Sequence, residues 1–391
     1  MSKWEMVKLS EIFTLQMGKT PSRDNQEYWN GEHKWVSIAD LGKANKYIDD
    51  TKECITNLAI SETGIKSTPK NTVVMSFKLS IGKTAITIDN IYTNEAIMSF
   101  IDKRIYKIDI DYIYYLFSGK DWSEGSNKAV MGITLNKATL SNVSIPLPPL
   151  ETQHKIAATL DKVTHIIDLC NAILEKLDLL VKSRFVEMFG DTEVNSNNYP
   201  IHKLSDLCTV SSSKRIYQEE QSSSGVPFLR ISNLVELIDN DKFGSELFIP
   251  EEKYNELLEN GLVPKPDDIL VTSRGTLGKC YIIQKHDKFY FQDGMISWLY
   301  DIDKSITPLY LTLLFDTRNI KRQIENLQSG STVAYLSIAM LKKLNIVVPP
   351  LALQEQFADF VEHTDKSKLA VKQVLEKAET LKKALMQEYF G

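Results

Sequence analysis

The sequence predicts a mixed α+β protein: two related globular modules separated by a long antiparallel two-helix coiled coil, with pseudo-two-fold symmetry. Three observations predict it. Residues 135–153 return 201 positions later as 336–354, with Leu135/Leu336, Leu140/Leu341, Ile145/Ile346, Pro148/Pro349, Pro149/Pro350, Leu150/Leu351 and Gln153/Gln354 matched. Each copy runs on into a heptad-patterned segment that closes on Phe189-Gly190 or Phe390-Gly391. The stretches before the two copies also match each other. An offset this long is a duplication of whole modules, because solenoid periods are far shorter.

In chain order the elements are a first module (1–147), a central spacer helix (148–190), a second module (191–348) and a C-terminal spacer helix (349–391). The modules consist of short β-rich runs punctuated by Gly, Pro, Asn and Asp, which predicts strand-dominated α/β structure with short helices. Trp35-Val-Ser-Ile-Ala-Asp-Leu41 pairs with Phe228-Leu-Arg-Ile-Ser-Asn-Leu234, and Asn94-Glu95-Ala96-Ile97 with Gln292-Asp293-Gly294-Met295. The aromatic-rich runs 105–117 and 306–315 predict a buried amphipathic helix under each module; base stacking is the competing role for them.

The spacers are legible from spacing. Ile156, Leu160, Val163, Ile167, Cys170, Leu174, Leu177 and Val181 follow a 4,3,4,3 alternation, an unbroken a/d seam. The second copy keeps the register through Phe357, Val361, Thr364, Lys368, Val371, Leu375, Ala378 and Lys382, with polar defects at Thr364, Lys368 and Lys382. Lys368 at a seam position reads as fixing register. Gly190 and Gly391 suit the left-handed position after a helix. About 40 residues at ~1.5 Å each give rods of roughly 60 Å. Domain termini tend to lie close together, so the second module should return the chain beside its starting point, and the rods should run antiparallel.

Composition bounds the function classes. With 43% hydrophobic and 25% charged residues the chain is an ordinary globular protein. It has no apolar run long enough to cross a membrane and no signal-peptide core, so the expected location is cytoplasmic. Four scattered cysteines (Cys54, Cys170, Cys208, Cys280) and six scattered histidines show no metal-ligand spacing. Gly82-Lys83-Thr84 is not a P-loop, because Phe77 stands where the first glycine is required. Neither an Asn/Asp-Pro-Pro-Tyr/Phe methyltransferase motif nor a Phe-x-Gly-x-Gly loop occurs, and Pro266-Asp267-Asp268 lacks a nearby Glu-x-Lys. These absences disfavour a self-contained modifying enzyme. The net charge is −5, and neither module is strongly basic: 18 basic against 17 acidic residues in 1–147, and 17 against 21 in 191–348. If DNA is bound, its phosphates must meet a local cluster of cations or be shared with partner proteins.

Candidate contacts follow from residue type. Ser76-Phe-Lys-Leu-Ser-Ile-Gly-Lys83 and Thr272-Ser-Arg-Gly-Thr-Leu-Gly-Lys279 set hydroxyls and cations beside glycine, as a phosphate-approaching loop requires; a plain turn between strands is the alternative. Ser76, Lys78, Lys83, Ser273, Arg274 and Lys279 are the contacts expected there. Lys19, Thr20, Arg23, Lys214, Arg215 and Arg230 suit groove or phosphate contacts, or simply a solvated surface. Ser126, Asn127, Lys128, Ser331 and Thr332, just before the strands that lead into the rods, either hold backbone or cap a turn.

The doubled Pro-Pro-Leu-x-x-Gln lead-in to a long helix ending on Phe-Gly, after two matched modules, resembles the specificity subunits of type I restriction–modification systems. Gly18-Lys-Thr-Pro-Ser22 and Ser329-Gly-Ser-Thr332 resemble that family too; Gly125-Ser-Asn-Lys128 departs from the latter at its third and fourth positions. The resemblance spans essentially the whole chain. It implies two target recognition domains, each reading half of a split, asymmetric target in double-stranded DNA. It also implies spacer helices that set the gap and dock two methylation subunits, with restriction subunits joining to make the nuclease. No cofactor is expected on this chain; S-adenosylmethionine, ATP and Mg belong to the partners. The competing reading is a coiled-coil scaffold that assembles two partners without reading DNA.

Overall fold

A computed structural model describes residues 4–78, 80–122, 135–328 and 334–391. The chain forms two compact units: Met1–Ile173 with Val371–Gly391, and Leu174–Ala370. Each unit therefore holds one module together with part of both long helices, Leu150–Phe189 and Leu351–Phe390.

In unit 1 a five-stranded sheet runs in the order Phe13–Met17, Ile97–Asp102, Val73–Ser76, Thr84–Thr87, Tyr47–Ile48, antiparallel except at the last pair. A second, three-stranded sheet runs in the order Glu53–Ile55, Trp29–Val36, Tyr92–Thr93, antiparallel at the first pair and parallel at the second. Unit 2 repeats the plan. Its four-stranded antiparallel sheet is Thr209–Ser212, Ile296–Tyr300, Ile269–Thr272, Cys280–Ile282, and its three-stranded sheet is Phe248–Ile249, Val226–Leu229, Tyr290–Phe291. In each unit a short antiparallel pair joins the start of the module to its end: Met6–Lys8 with Ser144–Pro146, and Ile201–Lys203 with Asn345–Val347.

The aromatic-rich runs form helices Ile110–Gly119 and Pro308–Phe315, and both are core elements rather than stacking platforms. Tyr112, Ile113, Tyr115, Leu116 and Phe117 are buried, as are Tyr310, Leu311, Leu314 and Phe315. Tyr112 and Tyr310 donate equivalent hydroxyl bonds to Pro146 O (2.8 Å) and Val347 O (3.0 Å), and burial raises both phenol pKa values.

The long helices turn their heptad seam inward. Ile156, Leu160, Val163, Cys170 and Val181 are buried while Ile167, Leu174 and Leu177 are half-buried. On the second helix Phe357, Val361, Thr364 and Ala378 are buried, with Lys368, Val371, Leu375 and Lys382 half-buried. Within each unit the helices run antiparallel. In unit 2 Asp178 meets Lys368 at 2.8 Å and Phe189 meets Phe357 at 5.3 Å between ring centroids, so numbers rise on one helix as they fall on the other. In unit 1 one cleft is lined by Ile156 with Phe390, and another by Ile167 with Glu379. Gly190 ends the first helix at φ +75°, the left-handed position that glycine adopts without steric cost. Among the described residues no helix is long and apolar enough to cross a membrane.

The repeated glutamine has a structural task. Gln153 is fully buried; its amide donates to Pro148 O (2.8 Å) and Lys107 O (3.1 Å), and its carbonyl accepts from the Asp109 N–H (2.8 Å). Gln354 repeats this with Pro349 O (2.9 Å), Ser305 O (2.9 Å) and the Thr307 N–H (2.8 Å). Asp109 and Thr307 cap the helices under the modules. One side chain thus ties the start of a long helix to the start of the buried helix in each unit.

Candidate nucleic-acid interface

Antiparallel pairing brings three loops to one end of the central sheet in each unit. In unit 1 Met17 faces Met98 and Ser76 faces Ile97, so the loops after residue 17, after residue 76 and before residue 97 emerge together. In unit 2 Ser212 faces Ser297 and Thr272 faces Ile296, which groups the loops after 212, after 272 and before 296. Gly18 keeps two of these loops close: a Cβ there would sit 2.2 Å from the Thr93 and Asn94 carbonyl oxygens.

The loops carry most of the cations expected from the sequence, and most are already partnered. Lys19 is exposed and donates to Thr63 O, while Thr20 donates to Glu95. Arg23 lays its guanidinium over the Trp29 ring at 3.8 Å and uses Nη1 and Nη2 on the two oxygens of Glu53. Hydrogen bonding to Glu53 raises the Arg23 pKa and lowers that of Glu53. In unit 2 Lys214 lies 3.7 Å from Glu256, Arg215 Nε donates to Asp293 at 2.8 Å, and Lys279 pairs with Asp239. Exposed pairs of this kind are worth about 0–1 kcal/mol each. Lys78 is half-buried, 5.4 Å from the Phe77 ring, and Lys83 is exposed beside Gly42. Arg230 is exposed at the cap of helix Ile231–Asn240, one residue past Leu229, whose carbonyl accepts from Gln292 N–H. Arg274 is exposed, over the Tyr335 ring at 5.1 Å, and has no ion pair among the described residues.

Two expected contacts are corrected. Ser76 is fully buried and Ser273 is 2% exposed, out of reach of a phosphate. The Ser76 hydroxyl donates to Ser80 O and accepts from the Lys83 N–H, closing its own hairpin; Thr272 does the same with Thr276 O and the Lys279 N–H. Ser273 bonds Ser297 across the sheet at 2.7 Å. The glycine-rich loops are therefore turns tied from inside, with Lys83 and Arg274 exposed on them. Ser126, Asn127, Lys128, Ser331 and Thr332 lie outside the described residues.

Sequence reasoning missed the acidic partners and one ionic tether. Lys46 reaches Asp111 (2.8 Å) and Asp161 of the first long helix (2.5 Å), and Asp161 also accepts from the Tyr115 hydroxyl (2.6 Å). Burial acts against the Lys46 charge, yet the bonds to Asp111 and Asp161 prevail and leave its pKa above the ordinary lysine value. No local pattern marks such a group; its partners lie far off along the chain.

Comparison with known proteins agrees with this duplicated architecture. A family model described as "Type I restriction modification DNA specificity domain" matches the chain twice, over residues 1–179 and 197–380. The chain is 28% identical over 388 residues to the type I restriction enzyme MjaIX specificity subunit of Methanocaldococcus jannaschii, covering 92% of this chain and 86% of that protein. To the MjaVIII specificity subunit of the same organism it is 24% identical over 414 residues, covering 98% and 91%. Among solved structures, the S subunit of a type I restriction–modification system from M. genitalium superposes with a TM-score of 0.60 at 15% identity, covering 100% of this chain and 96% of that one. A chain from a type I system studied for complex assembly and conformational transition gives 0.61 at 15% identity, covering 99% and 97%. Those two likenesses are of fold.

Proposed function

Since the chain belongs to the type I restriction–modification DNA specificity family, we propose that it reads a bipartite, asymmetric site in double-stranded DNA and carries partner subunits to it. In this reading residues 1–147 and 191–348 are the two target recognition domains, and the spacer helices dock two methylation subunits and set the gap between half-sites. Restriction subunits complete the nuclease. The chain itself is non-catalytic and binds no cofactor; S-adenosylmethionine, ATP and Mg are bound by the partners, in the cytoplasm.

The observation that carries the proposal is the recurrence of one loop arrangement with different side chains. Both units set three loops at the same sheet end, but Thr20 and Glu95 in one correspond to Arg215 and Asp293 in the other. A common frame with different readers is what two unlike half-sites require. Docking is supported by apolar side chains left exposed on the long helices: Ile166, Leu169 and Ile173 in unit 1, and Leu179, Leu180 and Val186 in unit 2.

The test is a gel-shift assay of the chain assembled with its methylation subunits. One preferred split sequence is expected from a pool of random duplexes, and exchange of residues 191–348 for another module should alter one half of it only. Equal binding to all duplexes would leave the scaffold reading in its place. Arg274→Ala should weaken binding to every duplex alike and reduce the salt slope by about one, because phosphate contacts position without specifying. A change of base preference would contradict that role.

A further inference from the structure

We infer that Arg215 reads a guanine through the major groove and that Asp293 is the positioning residue that orients it, an inference that rests on the reading of the chain as a DNA reader. The geometry of the guanidinium carries it. Arg215 spends Nε on Asp293 Oδ2 at 2.8 Å, while among the described residues Nη1 and Nη2 have no hydrogen-bond partner. The side chain is 64% exposed. Two parallel N–H donors of this exposed side chain are left for a ligand, and the edge that offers two adjacent acceptors to such a fork is guanine, with O6 and N7. Arg23 makes the contrast: both its terminal nitrogens are held by Glu53, so the same fork is occupied.

The backbone beneath Arg215 is fixed on both sides. Ser213 and Ile216 are buried, and the Lys214 N–H donates to the hydroxyl of the fully buried Tyr290 at 2.9 Å. The Gly294 N–H donates to Ser212 Oγ at 3.2 Å, which fastens the turn carrying Asp293 to the strand leading to Arg215. A reader held this way loses little freedom on binding.

Charge separates a guanine from a phosphate as the partner. The carboxylate of Asp293 cancels the guanidinium charge at close range, so the pair has little net attraction for an anion. Its two terminal donors remain, and a neutral acceptor pair suits them. In unit 1 the corresponding position holds Thr20, whose hydroxyl is committed to Glu95, so this two-pronged contact belongs to the second module alone.

The experiment uses the full chain assembled with its methylation subunits, selected on duplexes randomised across the target. Arg215→Ala should erase a guanine preference at one position in the half-site read by residues 191–348, and lower affinity for the preferred site about 5- to 150-fold. Arg215→Lys should not restore it, since an ammonium lacks the fork. Asp293→Ala should relax the same position while binding to unrelated duplexes becomes stronger, a gain that mere loss of structure does not produce. Equal weakening on all duplexes with a shallower salt slope would make Arg215 a phosphate contact and overturn the assignment; so would an unchanged preference at every position. A parent complex with no preference at all would instead remove the DNA-reading premise.

Discussion

Truncating Phe357 to alanine should cost unit 2 about 3–5 kcal/mol of stability, the range for emptying a buried aromatic site. Phe357 is fully buried, with Phe185 and Phe189 packed edge-on to it at 5.6 and 5.3 Å between centroids. Those rings also contact Tyr310, so the cavity would open where both long helices meet the helix under the second module. Neighbours on rigid helices collapse only partly into such a void, which is why the upper part of the range applies. Phe357→Leu should recover more than half of the loss. Urea unfolding followed by near-ultraviolet circular dichroism would read this, and a loss below about 1 kcal/mol would show that the ring is not a keystone.

Loss of the buried amide at Gln153 or Gln354 should be nearly as damaging, about 2–4 kcal/mol for either alanine variant. Alanine leaves two carbonyls and one capping N–H without the partner that satisfied them, in sites that are essentially water-free by exposure. The glutamate variant keeps the size but not the donors, and would set a carboxylate against two carbonyl oxygens. It should be at least as unstable at neutral pH and should recover partly in acid, where the added carboxyl is protonated and donates once. That sign follows because the folded state holds the group far above its ordinary carboxylate pKa, so stability is present at low pH and lost as pH rises. Equal stability of both variants with the parent between pH 5 and 8 would contradict the clamp.

How far the sequence foretold these features depends on the range of the interaction. The seam from Ile156 to Val181 was readable because a heptad is a local pattern, and burial follows it position by position. Gln153 and Gln354 were visible as repeats, but their purpose was not, since their partners at 107–109 and 305–307 lie more than 40 residues away. Separations of 30, 78 and 115 residues hid Glu53 behind Arg23, Asp293 behind Arg215 and Asp161 behind Lys46. Ser76 misled for a different reason. A hydroxyl beside a glycine suits a phosphate equally well as a turn, and only the fully buried strand Val73–Ser76 shows that this one points inward.

The division of each long helix between the two units has a consequence for synthesis. Unit 1 needs Leu385, Met386, Tyr389 and Phe390 to cover its core, yet these leave the ribosome only after the whole of Leu174–Ala370 has been made. At about 5–20 residues per second that is a wait of roughly 10–40 s. Throughout it the nascent first module leaves the apolar surface under those residues uncovered, so the yield of folded protein should respond to translation speed as well as to final stability.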